Sequence, residues 1–211
     1  LGVPKAIKET ARDRVLSLAE IHSIWQATFA MGDLWGPILR LSILTGQRRG
    51  EIIKLKWDEI NFNKMQIIKG GSKTKNKKAH ITHLSEPSLQ TLLSIRKTEN
   101  NLIFTTTGTT PVSGVSKMKK RLDVILGGDF KPWRLSDFRT AMATALAETG
   151  VAETIVDRIL NHSATGSAPS AVARVYNQAE NLTQRAAALE TWAQMVTAEL
   201  SDFDENKETS R

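Results

Sequence analysis

The stretch TGQRRGE (45–51) sets two arginines side by side behind a Thr-Gly turn, and a helical pattern follows it. A guanidinium stays charged at any accessible pH and donates two parallel hydrogen bonds to a carboxylate or a phosphate. In a helix over 47–57, Arg48 shares a face with Ile52 and Leu55, whereas Arg49 aligns with Ile53 and Lys56. That phase directs Arg48 inward. Burying an arginine is costly unless it is paired or serves a pocket for an anion. Two uses fit Arg48: an ion pair with Glu51, or a grip on an anionic ligand.

Other residues suit the same chemistry. WRLSDFR (133–139) opens a helix with Arg139 in its first turns, Ser136 three residues earlier on the same face, and Asp137 at the positive end of the helix dipole. ILNHSATG (159–166) closes a helix at His162, where an imidazole can cap the last carbonyls. Tyr176 is the only tyrosine, readable as a core aromatic beside Val172. Between 64 and 78 lie six lysines: Lys64, Lys69, Lys73, Lys75, Lys77 and Lys78. With a net charge of +7 and a pI near 9.7, this run favours a polyanionic partner, nucleic acid being the commonest.

Competing chemistries find little footing. The absence of cysteine excludes disulfides, thiolate metal sites and a thiol nucleophile, and fits a reducing, cytoplasmic setting. His80 and His83 look like a metal pair, but a separation of three on a strand points them to opposite faces. No carboxylate cluster accompanies them, so no metal is expected. Asp58 and Glu59 follow a helix and read as turn residues. Gly70 and Gly71 suit a flexible hairpin, and neither a P-loop nor a GxGxxG motif appears.

These residues need elements to hold them. SLAEIHSIWQATFAM (17–31) carries a capping box at Ser17 and Glu20, with Ile21, Ile24, Trp25 and Phe29 on one face. WGPILRLSIL (35–44) forms a second helix, with Pro37 near its start and Gly46 ending it. The period then shortens. A strand is expected near 59–62, and a hairpin pairing 65–69 with 79–84. Helices are expected again over 86–97, 113–126, 135–149, 152–161, 169–179 and 182–199. The fold class is mostly α with a small antiparallel β-sheet. One domain spans 13–200, after a linker remnant over 1–12 and before a polar tail over 201–211 expected to be disordered. No stretch has the length and apolarity of a membrane span. In the last helix Leu182, Ala186, Leu189, Ala193, Val196 and Leu200 form a narrow apolar stripe, suited to docking on the chain's own core or on a neighbour.

Taken together, TGQRRGEI, SKTKNKKAHITHLS (72–85), WRLSDFR, LNHS and VYNQA followed by LETWA resemble the tyrosine recombinase (phage integrase) family. The motifs stand in the family's order over about residues 13 to 196, and the nearest likeness is to integrases of prophages and genomic islands. The resemblance implies a site-specific DNA strand transferase. Its hydroxyl nucleophile falls on Tyr176, its two catalytic arginines on Arg48 and Arg139, and its late histidine on His162. The hairpin lysine falls on Lys75, with Lys73 the runner-up; Lys69, Lys73, Lys77 and Lys78 are then left for DNA phosphates.

In the implied reaction the tyrosine attacks a phosphodiester, forms a 3′-phosphotyrosyl link and frees a 5′-hydroxyl. That hydroxyl, on a partner strand, reverses the step. The bond energy is kept in the covalent link, so neither ATP nor a metal cofactor is required. Two guanidiniums suit the extra charge on the non-bridging oxygens of the pentavalent transition state. The resemblance also implies double-stranded DNA at attachment sites as partner and a homotetramer on DNA for the full-length protein. A separate N-terminal DNA-binding domain would complete it, the present piece alone being a monomer that binds weakly. One position departs: Ser136 stands where the family usually has histidine, which implies a slower enzyme or, as the alternative, a DNA-binding protein that has lost turnover. The related type IB topoisomerases share the constellation, but the short chain and the LETWA ending favour the integrase.

Overall fold

A computed structural model describes residues 14–70, 80–161 and 181–198. Its first helix, α1 (Leu18–Phe29), begins where Ser17 Oγ accepts the Glu20 N–H at 3.2 Å and the Glu20 carboxylate accepts the Ser17 N–H at 3.0 Å. This reciprocal cap satisfies two donors that the first turn leaves open. Ile21, Ile24 and Trp25 are buried, but Phe29, expected on the same face, is 60% exposed. It sits at the last turn, edge-on to Trp25 and beneath the Arg40 guanidinium at 4.7 Å, so a cation covers part of its ring instead of the core.

The second helix, α2 (Gly32–Thr45), starts earlier than the sequence pattern suggests, with Asp33 in its first turn, so Pro37 lies inside it rather than at its start. Gly46 ends it in the left-handed region (φ +60°), and a Cβ there would lie 2.3 Å from Met142 Cε. Only glycine meets both conditions.

The third helix, α3, is shorter than expected: Arg49–Ile53, with Arg48 outside it in extended conformation at φ −61° and ψ 136°. A 3-10 turn at Trp57–Glu59 leads to β1 (Ile60–Asn61). β2 (Gln66–Lys69) pairs antiparallel with β1 on one side and with β3 (His80–His83) on the other, Lys69 facing His80 in the register. Then follow α4 (Glu86–Leu93), α5 (Val115–Leu126), α6 (Asp137–Glu148), α7 (Glu153–Ile159) and α8 (Leu182–Thr197). The mostly helical fold with one small antiparallel sheet is thus present, though α4 stops four residues short of 97. The expected helix over 169–179, the segments 1–12 and 201–211, and Lys73, Lys75, Lys77, Lys78, His162 and Tyr176 lie outside the described residues.

Two apolar clusters meet at α2. Leu39, Ile43 and Leu44 pack with residues of α1, α5, α6, α7 and α8, while Ile38 and Leu41 pack with α3, the sheet and α4. α2 is therefore apolar on two faces, as a helix between layers must be. The stripe of α8 docks on the chain's own core: Leu189, Ala193 and Val196 are buried, and Trp192 donates its indole N–H to Ile43 O at 2.8 Å. Leu182 remains at the rim, 36% exposed. α8 also grips β3, through Arg185 donating to Ile81 O and through His83 against Glu190 at 2.9 Å. Among the described residues, no helix is long and apolar enough to cross a membrane.

Candidate active site

The site grows from the end of α7. A helix leaves its last carbonyls without intrahelical donors, and here three consecutive ones are taken by side chains from distant elements. Ile159 O accepts from the Gln47 amide at 2.8 Å, Leu160 O from Arg139 at 2.8 Å, and Asn161 O from Arg48 at 3.3 Å. Arg139 makes a second bond to Gly46 O. The turn after α2, the start of α6 and the end of α7 are thereby tied into one patch. Asn161 itself turns left-handed (φ +50°), and the next residue in the chain is His162.

The two arginines differ in setting. Arg139 is half-buried on the first turns of α6. Burial, reinforced by the neighbouring charge of Arg48, lowers its pKa from 12.5 to about 10, while Glu51 opposes the shift. It remains charged at neutral pH, because the lowered value still lies well above 7. Arg48 is not directed inward. The helix phase assumed for it fails because α3 begins at Arg49, two residues later than expected; Ile52 and Leu55 are fully buried as expected, but the Arg48 side chain is 47% exposed. Its partner is the expected one, Glu51, at 3.5 Å.

Arg48 stands on the ridge between two clefts. The first, about 730 Å³, is lined by Arg48, Arg49, Arg139, Arg134, Lys119 and Ser136 among others, and so is strongly cationic. Ser136 is exposed there, its hydroxyl 3.3 Å from the Asp137 carboxylate, which in turn accepts the Arg134 N–H at 2.8 Å. Trp133 forms the floor, its N–H on Asp123 at 3.1 Å and the Lys119 ammonium over its ring at 4.1 Å. The second cleft, about 540 Å³, is lined by Arg48, Glu51, Lys69 and His80, together with Lys54, Lys56 and Glu59. Lys69 donates to Glu51 O at 2.8 Å, so this candidate DNA contact faces the cleft.

His80 and His83 do face opposite ways: His80 into the second cleft, His83 to α8. Among the described residues no group of three potential ligands could hold a metal ion. His80 is 8% exposed, and its pKa falls from 6.5 to about 4, first from burial, then from Arg185, with Lys69 and Arg48 adding to it and the Ile159 carbonyl opposing.

Arg48 and Arg139 thus meet at one patch at the end of α7. The sequence profile of the phage integrase family matches residues 7–181. The chain belongs to the phage integrase family. Solved structures of similar fold include XerA recombinase (21% identity, TM-score 0.61, 80% of this chain and 66% of that one). Another is a lambda integrase dimer bound to a COC′ core site (21% identity, TM-score 0.58, 79% and 64%). A third is the Tn1549 transposon integrase in complex with a circular intermediate DNA (16% identity, TM-score 0.62, 81% and 67%). The chain therefore spans roughly two thirds of each of these structures. Among curated proteins, no sequence matches.

For a phage integrase family member, one residue of the candidate site escaped the sequence reading and two were read only in part. Gln47 is 4% exposed and joins Thr45 O to Ile159 O, yet in sequence it is one polar residue in a turn. Glu51 was legible as the partner of Arg48 but not as a charge felt by Arg139. His80 was weighed only as a metal ligand; its place on the buried side of β3, in line with Thr82, was the available signal.

Proposed function

We propose that the chain is the catalytic domain of a site-specific DNA recombinase, an integrase that cleaves and rejoins strands through a 3′-phosphotyrosyl intermediate. The observation that carries this reading is the convergence of Arg48 and Arg139, 91 positions apart in sequence, on adjacent carbonyls that end α7. Two guanidiniums at the mouth of a cationic cleft suit a phosphodiester and the extra charge of its transition state. In this reading Tyr176 is the nucleophile and His162 supports it. Lys75, or Lys73, protonates the leaving 5′ oxygen, and Lys69, Lys77 and Lys78 hold phosphates. Double-stranded DNA at an attachment site is the substrate, and a homotetramer on DNA is the working assembly of the full-length protein, in the cytoplasm. No cofactor enters the reaction.

The test is covalent trapping on a nicked suicide duplex, read on a denaturing gel, with mass spectrometry placing the nucleotide on the peptide holding Tyr176. The parent is expected to form the adduct and Tyr176→Phe to form none, since no second tyrosine can replace it. An adduct in Tyr176→Phe overturns the nucleophile assignment. Ser136→His is expected to raise the adduct rate by about tenfold or more, as gain of a general acid or base does. Binding without any adduct, in either protein and with the correct site supplied, leaves a DNA-binding protein without turnover.

A further inference from the structure

The second cleft contains two buried acceptors with no hydrogen-bond partner among the described residues: His80 Nε2 and Glu51 Oε2. Leaving such an atom unpaired costs about 1–3 kcal/mol, so each calls for a use. The Ile159 carbonyl, which accepts from the Gln47 amide, lies near enough to the His80 ring to favour its protonated form. With Nε2 unpartnered, the proton of the neutral ring is assigned to Nδ1. Arg185 from α8, Lys69 from β2 and Arg48 ahead of α3 all oppose a second proton, against Glu51 and Glu59 at the cleft. The ring is neutral at physiological pH, and Nε2 is then a lone-pair acceptor.

A donor stands in the same cleft. Arg48 has five N–H groups, and the two bonds it makes are long, 3.3 Å to Asn161 O and 3.5 Å to Glu51 Oε1. A guanidinium has two working edges, so one can face a phosphate while the other is held by the protein. An imidazole acceptor has a further advantage: it fixes the guanidinium without cancelling its charge, which another carboxylate would do.

We propose that His80 is a positioning residue for Arg48, its Nε2 accepting, together with Glu51 Oε2, the guanidinium N–H groups turned away from a bound phosphodiester. The assignment rests on the reading of Arg48 as a phosphate-binding residue. The half-exposed Arg48 is the open form, and phosphate entry draws it onto the two waiting acceptors.

The test uses the 211-residue chain, isotope-labelled, with its histidine ring nitrogens followed by long-range proton–nitrogen NMR, and a short mixed-sequence duplex as the probe. In the free protein at neutral pH, Nε2 of His80 is expected to resonate as an unprotonated nitrogen. It should move toward the hydrogen-bonded range on addition of duplex. The movement should persist in Arg49→Ala and vanish in Arg48→Ala. A protonated Nε2 in the free protein, an unmoved resonance on a bound duplex, or a movement that survives Arg48→Ala overturns the proposal. A second arm measures adduct formation at saturating suicide substrate. His80→Phe should slow it by about ten- to a hundredfold, whereas His80→Gln, which keeps an acceptor near the Nε2 position, should stay within about threefold. Equal losses in both variants count against positioning. If Arg48→Ala binds duplex and forms adduct like the parent, the reading of Arg48 fails; if Arg48 matters and Nε2 stays unmoved, only the role of His80 fails.

Discussion

Arg139 and Arg48 lie side by side, yet the fold treats them in opposite ways. Arg139 is half-buried and bonded to two carbonyls from two different elements, with its pKa drawn down to about 10. Arg48 is nearly half-exposed, with two long bonds and a cleft on either side. One guanidinium is a structural joint that also lines the cleft; the other, in the proposed reading, is an adjustable ligand. The difference follows from the backbone. Arg139 projects from a helix packed on the core, so its reach is fixed, whereas Arg48 projects from the extended residue before a short helix.

Four measurements can break or sharpen that contrast. The largest effect belongs to cleavage. Arg48→Ala and Arg139→Ala should each lower the single-turnover adduct rate by about 10²–10³-fold, as loss of one transition-state donor does, while Arg49→Ala should leave it within about threefold. A dominant loss in Arg49→Ala would show that the wrong member of the pair was chosen.

Next in size is Gly46→Ala, aimed at the carbonyl that Arg139 holds. The left-handed backbone and the collision with Met142 together should cost about 2–4 kcal/mol, measured by urea unfolding. A neutral result would mean that the turn can rebuild without Arg139 losing its seat.

The third measurement separates the two arginines by stability alone. Arg139→Ala leaves Gly46 O and Leu160 O without their charged donor and should destabilise by about 1–3 kcal/mol. Arg48→Ala, which removes an exposed pair, should change stability by no more than about 0.5 kcal/mol. Equal values would erase the distinction between joint and ligand.

The last measurement is a slope with pH. The unfolded chain protonates His80 as pH falls through 6.5, and the folded chain resists until about 4. Stability present above pH 6.5 is therefore lost between 6.5 and 4, with His80 accounting for about 2 kcal/mol of the change between pH 7 and pH 5. His80→Gln should flatten that part of the profile. An unchanged slope would mean that His80 is not held neutral beside Arg48.

Much of this molecule was legible in its residues. The Ser17–Glu20 box, the glycine that ends α2, the hairpin pairing and the order of helices follow from local rules: capping, positive φ, and periods of two and 3.6. The argument from helix phase for Arg48 over Arg49 did not hold, because a helix boundary can shift by two residues without any sign in the pattern. Phe29 failed for a related reason: periodicity says which face a side chain lies on, not whether the core extends to the last turn.

The sequence by itself determined which side chains carry the charge and hydroxyl that such chemistry needs, that only one tyrosine exists, and that the chain would be helical around a small sheet. Only the tertiary structure decided that Gln47, Arg139 and Arg48 share three successive carbonyls at the end of α7, and that His80 and Glu51 line one cleft. The physical reason is distance along the chain. Capping and periodicity act within a turn or two, whereas a carbonyl at 160 finds a donor at 139, and one at 161 a donor at 48, only after the helices between them have packed.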